Sequence, residues 1–259
     1  MEKKIQAQLD TIEKTYNIRI LYACESGSRA WGMHSPDSDY DIRFIYVREP
    51  EWYWSISEGK KDTIETITPD NLDLVGWDIR KVLQLTAKSN VASMEHLNSP
   101  IIYRETPQIR ELLKAATTDC FSPKAVIYHY LGLAKNFSEL LLEEKVSAKK
   151  VLYIIRSLLA ANWVATYQTI PPIEIEELRK LIVSEVQSKE LDRLLAEKMK
   201  AGEQEKTVLP TAIAILIQEL MAKASEAVNT AATKKANYIK LDDIFRLILK
   251  EYGNTIAVN

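Results

Sequence analysis

The segment Glu25-Ser-Gly-Ser-Arg-Ala-Trp-Gly-Met-His-Ser-Pro-Asp-Ser-Asp-Tyr-Asp-Ile-Arg-Phe44 decides how this chain is read. Just before it, Ile18-Arg-Ile-Leu-Tyr-Ala23 has the apolar, β-branched character of a strand. Gly27-Ser28 follows that strand and opens a short helix. Asp39 to Val47 (Asp-Tyr-Asp-Ile-Arg-Phe-Ile-Tyr-Val) is a second, stronger strand pattern. Residues i and i+2 of a strand share a face. Asp39 and Asp41 therefore project together, with Tyr40 and Ile42 on the opposite face against the core. Two carboxylates at that spacing repel unless a cation sits between them. Hard oxygen donors with open positions suit Mg²⁺, which keeps waters and takes phosphate oxygens. Gly27 lets a backbone approach phosphates closely, and Ser28 with the amides of a helix start can hydrogen-bond them. Arg29 and Arg43 are positive charges near the same anion.

Outward from this block, Asp62 to Thr68 alternates as a strand, Pro69-Asp70-Asn71 is a turn, and Leu72 to Val75 is a short strand. That last strand holds Asp73 between Leu72 and Leu74. A third carboxylate on a neighbouring strand would complete a two-metal site, one ion activating a hydroxyl and the other holding a triphosphate. Trp77-Asp78-Ile79 has the same apolar-Asp-apolar form. Asp78, however, precedes the helix expected over Ile79 to Lys88, where an N-cap explains it without chemistry. Asp73 is preferred, because a mid-strand position holds its side chain rigidly, and Asp78 stays the alternative.

Residues 3–16 read as a helix. The second half is helical throughout: Ser122-Pro123 has the form of an N-cap with proline at the first helical position. The helix candidates are Lys124 to Leu142, Ala148 to Tyr167, Ile173 to Ser184, Glu190 to Ala201, Thr211 to Thr230 and Leu241 to Tyr252. The charged run Glu143 to Lys150 reads as an exposed connection. The fold class is α+β: a mixed-sheet domain over residues 1–118, then an all-α domain over 119–259. The joint at Thr117 to Ser122 is short, so the two parts are expected to pack together.

The composition bounds the rest. The chain has 259 residues, 46% apolar and 27% charged, which is the balance of a globular protein and not of a disordered one. There are 34 basic and 36 acidic residues, so bulk charge does not mark a strongly basic nucleic-acid binder. Apolar runs are too short to span a bilayer, and the N-terminus lacks the apolar core of a secretory signal. Cys24 and Cys120 form neither a disulfide framework nor a metal knuckle. A reducing cytoplasm is the expected setting.

Gly-Ser, ten residues, Asp-x-Asp in a strand and then apolar-Asp-apolar resembles the DNA polymerase beta-type nucleotidyltransferase superfamily. Gly76-Trp-Asp-Ile-Arg-Lys81, Lys88-Ser-Asn90 and Asn98-Ser-Pro-Ile-Ile-Tyr103 bring the chain closer to a bacterial branch linked to RNA repair. The likeness is strong over residues 20–104 and looser around Lys149 to Arg156 and Trp163. The resemblance implies transfer of a nucleoside monophosphate from an NTP to an acceptor hydroxyl, with an RNA end as one acceptor. It implies two Mg²⁺ (or Mn²⁺) ions on Asp39 and Asp41, a third carboxylate that is either Asp73, the preferred one, or Asp78, a triphosphate on Gly27 and Ser28, and an active site in the cleft between the two domains. The family has an apolar residue before the glycine. Here Glu25-Ser26 stands there, which predicts a more exposed turn.

Other features have bland readings beside sharper ones. Lys149, Tyr153 and Arg156 fall at i, i+4 and i+7 on one helical face. They are either a basic-aromatic wall over the nucleotide or a helix start and a domain seam. Arg156 interrupts an apolar run, so its charge needs a carboxylate or a phosphate. His34, His96 and His129 lack metal-ligand spacing. Trp52-Tyr-Trp54 reads as a hydrophobic lid or packing patch on a loop or strand edge, with base stacking as the lesser alternative. The alternative function is nucleotide and metal binding without turnover, in a regulatory role. A helical interaction module with an α/β scaffold is a third. The acceptor, base preference and oligomeric state are not encoded in any recognisable motif.

Overall fold

The computed structural model describes residues 1–56, 61–68, 72–135, 143, 145–201 and 206–253. It is α+β, with a mixed five-stranded sheet and a mostly helical C-terminal part. Two compact units emerge. One comprises Met1–Gly27, Asp39–Cys120 and the C-terminal segment from Lys235; the other comprises Ser28–Ser38 and Phe121–Lys234.

The sheet unit begins with α1 (Glu2–Tyr16), which stops at Asn17 in the left-handed conformation (φ 47°) that asparagine tolerates. Strands β1 (Arg19–Glu25), β2 (Tyr40–Val47), β3 (Thr63–Ile67), β4 (Leu72–Asp78) and β5 (Ile102–Glu105) lie in the order β3-β4-β2-β1-β5. Only β2 and β4 run parallel; the other neighbours are antiparallel. The turn expected at Pro69-Asp70-Asn71 lies outside the described residues. Between strands come α2 (Gly27–Ala30), α3 (Pro50–Tyr53), α4 (Ile79–Ala87) and α5 (Val91–Leu97), with α6 (Pro107–Cys120) after β5. Strand alternation sorts the core. Ile42, Phe44 and Tyr46 of β2 join Leu72 and Leu74 of β4 beneath Ile5, Leu9 and Ile12 of α1. Ile45 and Val47 face the other way, into a core shared with α4, α5 and α6.

The helical unit contains α7 (Pro123–Ala134), the two-residue strands β6 (Val146–Ser147) and β7 (Lys206–Thr207), and α8 (Ala148–Tyr167). It continues with α9 (Ile175–Leu178), a 3₁₀ turn (Arg179–Leu181), α10 (Glu185–Ala201) and α11 (Thr211–Thr230). Helix α8 is its axis, buried on nearly every side. Asn162 Nδ2 ties it to α11 through the Leu220 carbonyl at 2.8 Å. The expected helix over Lys124 to Leu142 is described only to Lys135. The expected helix over Ile173 to Ser184 is reduced to one turn plus the 3₁₀ turn.

The last helix, α12 (Tyr238–Tyr252), belongs to the sheet unit and buries Leu241 and Ile248 in its second core. The spacing of its apolar residues foretells a helix but carries no information about which surface it covers.

One glycine in this unit answers to packing alone. A Cβ on Gly76 would lie 2.0 Å from Phe44 Cε2, because the Phe44 ring fills the space above β4. Gly76→Ala is therefore expected to cost about 1–3 kcal/mol by overpacking. Urea unfolding measures it, and the loss should shrink in the Phe44→Leu/Gly76→Ala double variant, because the two positions share one space.

Candidate active site

The parallel pairing of β2 with β4 sets Asp41 opposite Asp73, on the face away from Phe44 and α1. Both carboxylates reach the same guanidinium. Arg43 Nη2 is 3.0 Å from Asp41 Oδ1 and 2.9 Å from Asp73 Oδ2. Its Nη1 donates to the carbonyls of Asp73 (3.0 Å) and Ile42 (3.1 Å). These side chains are partly open, at 30% for Asp41, 35% for Asp73 and 18% for Arg43. The sequence reading set Arg43 beside a phosphate; in the structure it lies across two carboxylates. Asp39 sits one residue before β2 and is exposed. Among the described residues, no group of three or more His, Cys, Asp or Glu side chains is arranged to hold a metal ion.

Gly27 adopts φ +62° and lies against the Asp41 side chain. A Cβ there would fall 2.2 Å from Asp41 Oδ2. The need for glycine is thus visible as close approach of a carboxylate, besides any approach of phosphate. Ser26 N–H donates to the Asp41 carbonyl at 2.8 Å.

Glu25 is the residue that sequence reasoning undervalued. Its position before the glycine predicted an exposed turn, but its side chain is fully buried. Its Oε1 accepts the Asp41 backbone N–H at 2.8 Å, and its Oε2 accepts the Tyr103 hydroxyl. A buried carboxylate must be satisfied by donors, and here those donors include the amide that starts the Asp41 strand.

Asp78 is a different kind of carboxylate. It lies five residues beyond Asp73 on β4, so an odd step turns it to the other face, about 16 Å along the strand. Its Oδ1 caps α4 by accepting Arg80 N–H at 2.8 Å, and its Oδ2 accepts the Tyr53 hydroxyl at 2.7 Å. Burial pushes its pKa up to about 6, against the lowering effect of those hydrogen bonds and of the Arg80 and Arg48 charges. Tyr53 thus has a structural task in a short helix, where a loop or strand edge was expected for Trp52-Tyr-Trp54. His96 is buried against Trp77, and burial with the Arg43 charge holds its pKa down at about 3.

Within the helical unit, the loop Ser28–Ser38 is held by the residues the sequence singled out on α8. Arg29 Nη2 donates to the Ser38 carbonyl at 2.7 Å, closing the loop on itself. The buried Arg156 donates from Nε to the Ile173 carbonyl at 2.8 Å, and its guanidinium lies 4.1 Å from the centre of the Trp31 ring. Tyr153 meets Trp31 edge-on at 5.0 Å, and Lys149 Nζ is 5.8 Å from the Tyr153 ring centre. Trp31 carbonyl accepts Ile175 N–H at 3.0 Å. Lys198 was not singled out; it is buried and donates to the Met33 carbonyl. The signal was present: Leu191, Leu194, Leu195 and Lys198 share one apolar stripe of α10. Burial and the charges of Arg29 and Lys198 lower the His34 pKa.

Two measurements follow from this geometry. Gly32 also has positive φ (+73°), but open space surrounds its missing Cβ. Gly32→Ala should cost about 1–2 kcal/mol for backbone strain alone. Gly27→Ala should cost measurably more in urea unfolding, with the excess removed by Asp41→Gly. Asp78 binds its proton more tightly folded than unfolded, so the native state carries the extra proton between about pH 4 and pH 6. Its contribution to stability falls as pH rises through that window, by about 2–3 kcal/mol for a shift of some two pKa units. The Asp78→Asn variant should lack this slope; a wild-type-minus-variant difference that stays flat from pH 4 to 7 refutes the assignment.

A protein of Bacillus subtilis (strain 168), named as the uncharacterized protein YcgL, is 42% identical over 205 residues, covering 79% of this chain and 78% of that one. The family model described as the RNA repair pathway DNA polymerase beta family, RlaP, matches residues 1–247. With nearly the whole chain matched, including the glycine turn, both carboxylate strands and the helical unit, this protein belongs to the RNA repair pathway DNA polymerase beta family.

Proposed function

We propose that this protein transfers a nucleoside monophosphate from an NTP to an acceptor hydroxyl and releases pyrophosphate. The observation that carries the reading is the register of β2 and β4, which turns Asp41 and Asp73 onto one cation beside the Gly27 turn. Two of the three donors fit a hard divalent ion: Asp41 and Asp73 offer oxygens from adjacent strands, with the Arg43 guanidinium as stand-in cation, while Asp39 would have to join them from the exposed position just before β2. Asp39, Asp41 and Asp73 would hold Mg²⁺, with Mn²⁺ as the alternative ion. When bound, the metal supplies charge neutralisation for the triphosphate and a lowered pKa for the attacking hydroxyl.

The chain's own residues do the rest in this reading. Asp73 takes the hydroxyl proton, while Asp78 remains a helix cap. Gly27 and Ser28 hold the triphosphate, with Arg29 keeping their loop closed. Lys149 and Tyr153 are assigned to base or sugar, and Arg156 to positioning Trp31. Family membership supports an RNA end as acceptor. The near-neutral charge balance favours one or few additions over tracking along a long strand. No helix among the described residues is long and apolar enough to cross a membrane. Cys24 and Cys120 are both buried thiols, and we assign a reducing cytoplasm as the setting.

A second reading, nucleotide binding without turnover, is favoured by the single observation that Arg43 already spans Asp41 and Asp73. Thermal unfolding with each of the four NTPs, with and without Mg²⁺, separates both readings from a helical interaction module, because a ligand bound only by the native state raises stability without any acceptor. Wild type should show a metal-dependent rise that the Asp39→Asn/Asp41→Asn variant lacks. Pyrophosphate release with an RNA acceptor should then fall to background in Asp39→Asn and in Asp41→Asn. Full release in either variant sinks the transferase reading, and stoichiometric binding with no release under any acceptor favours the second.

A further inference from the structure

We propose that Arg43 is the resident counter-ion of the divalent-cation site, so that guanidinium and metal exclude each other there. The inference rests on the metal reading above and deepens it. Arg43 stands at i+2 from Asp41 on β2 and therefore shares its face. Nη2 contacts an oxygen of each carboxylate at 3.0 and 2.9 Å. A cation such as Mg²⁺ needs carboxylate oxygens at about 2.0–2.1 Å. Nη2 occupies one oxygen of each carboxylate, and an ion bridging the pair through those oxygens would need the space it fills.

The fork is more than a passing surface pair. Nη1 is fixed to the carbonyls of Ile42 and Asp73, one on each strand. A guanidinium held by four acceptors across two strands is oriented by its planar geometry, as a lysine ammonium would not be. It neutralises two like charges that the parallel register forces together. The carboxylates stay partly open to solvent, which gives a hydrated ion an approach. Metal entry then means displacing Arg43, and the affinity for bare metal is lower than the donor set alone would provide.

The test is a Mn²⁺ titration, followed by the electron paramagnetic resonance of unbound Mn²⁺, on wild type, Arg43→Gln, Arg43→Lys and Arg43→Gln/Asp41→Asn. Circular dichroism establishes that each is folded. Arg43→Gln should bind Mn²⁺ at least tenfold tighter than wild type, and Arg43→Lys should show a smaller tightening of at least threefold. The double variant should lose the gain. Equal or weaker binding by Arg43→Gln overturns the inference while leaving the transferase reading intact, and so does a double variant that keeps the gain. Should Arg43→Gln not fold, absence of tightening in Arg43→Lys overturns it. Absence of Mn²⁺ binding in wild type and in both folded single variants removes the metal reading and the inference together.

Discussion

The parallel register between β2 and β4 is the constraint on which the rest depends. Tyr40 to Tyr46 pairs with Leu72 to Asp78, residue for residue. A slip by one residue would turn Asp41 and Asp73 to opposite faces and would send Phe44 or Leu74 to the wrong core. The apolar face fixes the register: Ile42, Phe44, Leu72 and Leu74 are buried beneath α1, and Gly76 is the gap that receives the Phe44 ring. Burial of those side chains therefore places two carboxylates side by side, against their mutual repulsion. Arg43 offsets that repulsion from the same strand.

Around this pair, polar groups act as fixtures. Glu25 secures the amide of Asp41, Gly27 leaves room for its carboxylate, and Ser99 Oγ donates to the Glu25 carbonyl at 2.7 Å. The loop that follows Gly27 belongs to the helical unit, where Arg156, Tyr153 and Lys198 hold it by aromatic faces and carbonyls. Gly27 and Ser28, adjacent in the chain, thus belong to different compact units. The buried cations of the helical unit work on backbone carbonyls and indole, a use of charge that desolvation permits when donors are satisfied.

Several expectations came through intact because they rest on local chemistry. Helices α8 and α11 span the ranges read from their patterns, since long proline-free amphipathic runs are self-evident. Asp78 as a helix cap and Asp73 as a strand residue were both readable from their flanks. Other elements escaped. Helices α5 and α6 and strand β5 were not assigned, although Asn90 caps α5 and Pro107 starts α6. The segment around Trp52 formed a short helix because Pro50 sits at its first turn and Tyr53 reaches Asp78. The turn before Ser28 is less exposed than its Glu25 suggested, because a buried acid is invisible in sequence until its donors are found.

By itself, the sequence determined the fold class, the family, the glycine turn and the Asp-x-Asp strand, because each is written in spacing over a few residues. Its expectation that Asp39 shares a strand face with Asp41 meets a strand that begins at Tyr40, whereas Asp73 does lie within β4 as read. Only the tertiary structure decided what those charges meet. The partner strand of β2, the guanidinium between Asp41 and Asp73, the donors around Glu25 and the return of α12 to the sheet unit all join residues distant in the chain. Periodicity says which face a residue takes. It cannot say what is packed against that face, and the chemistry of a carboxylate depends on that neighbour.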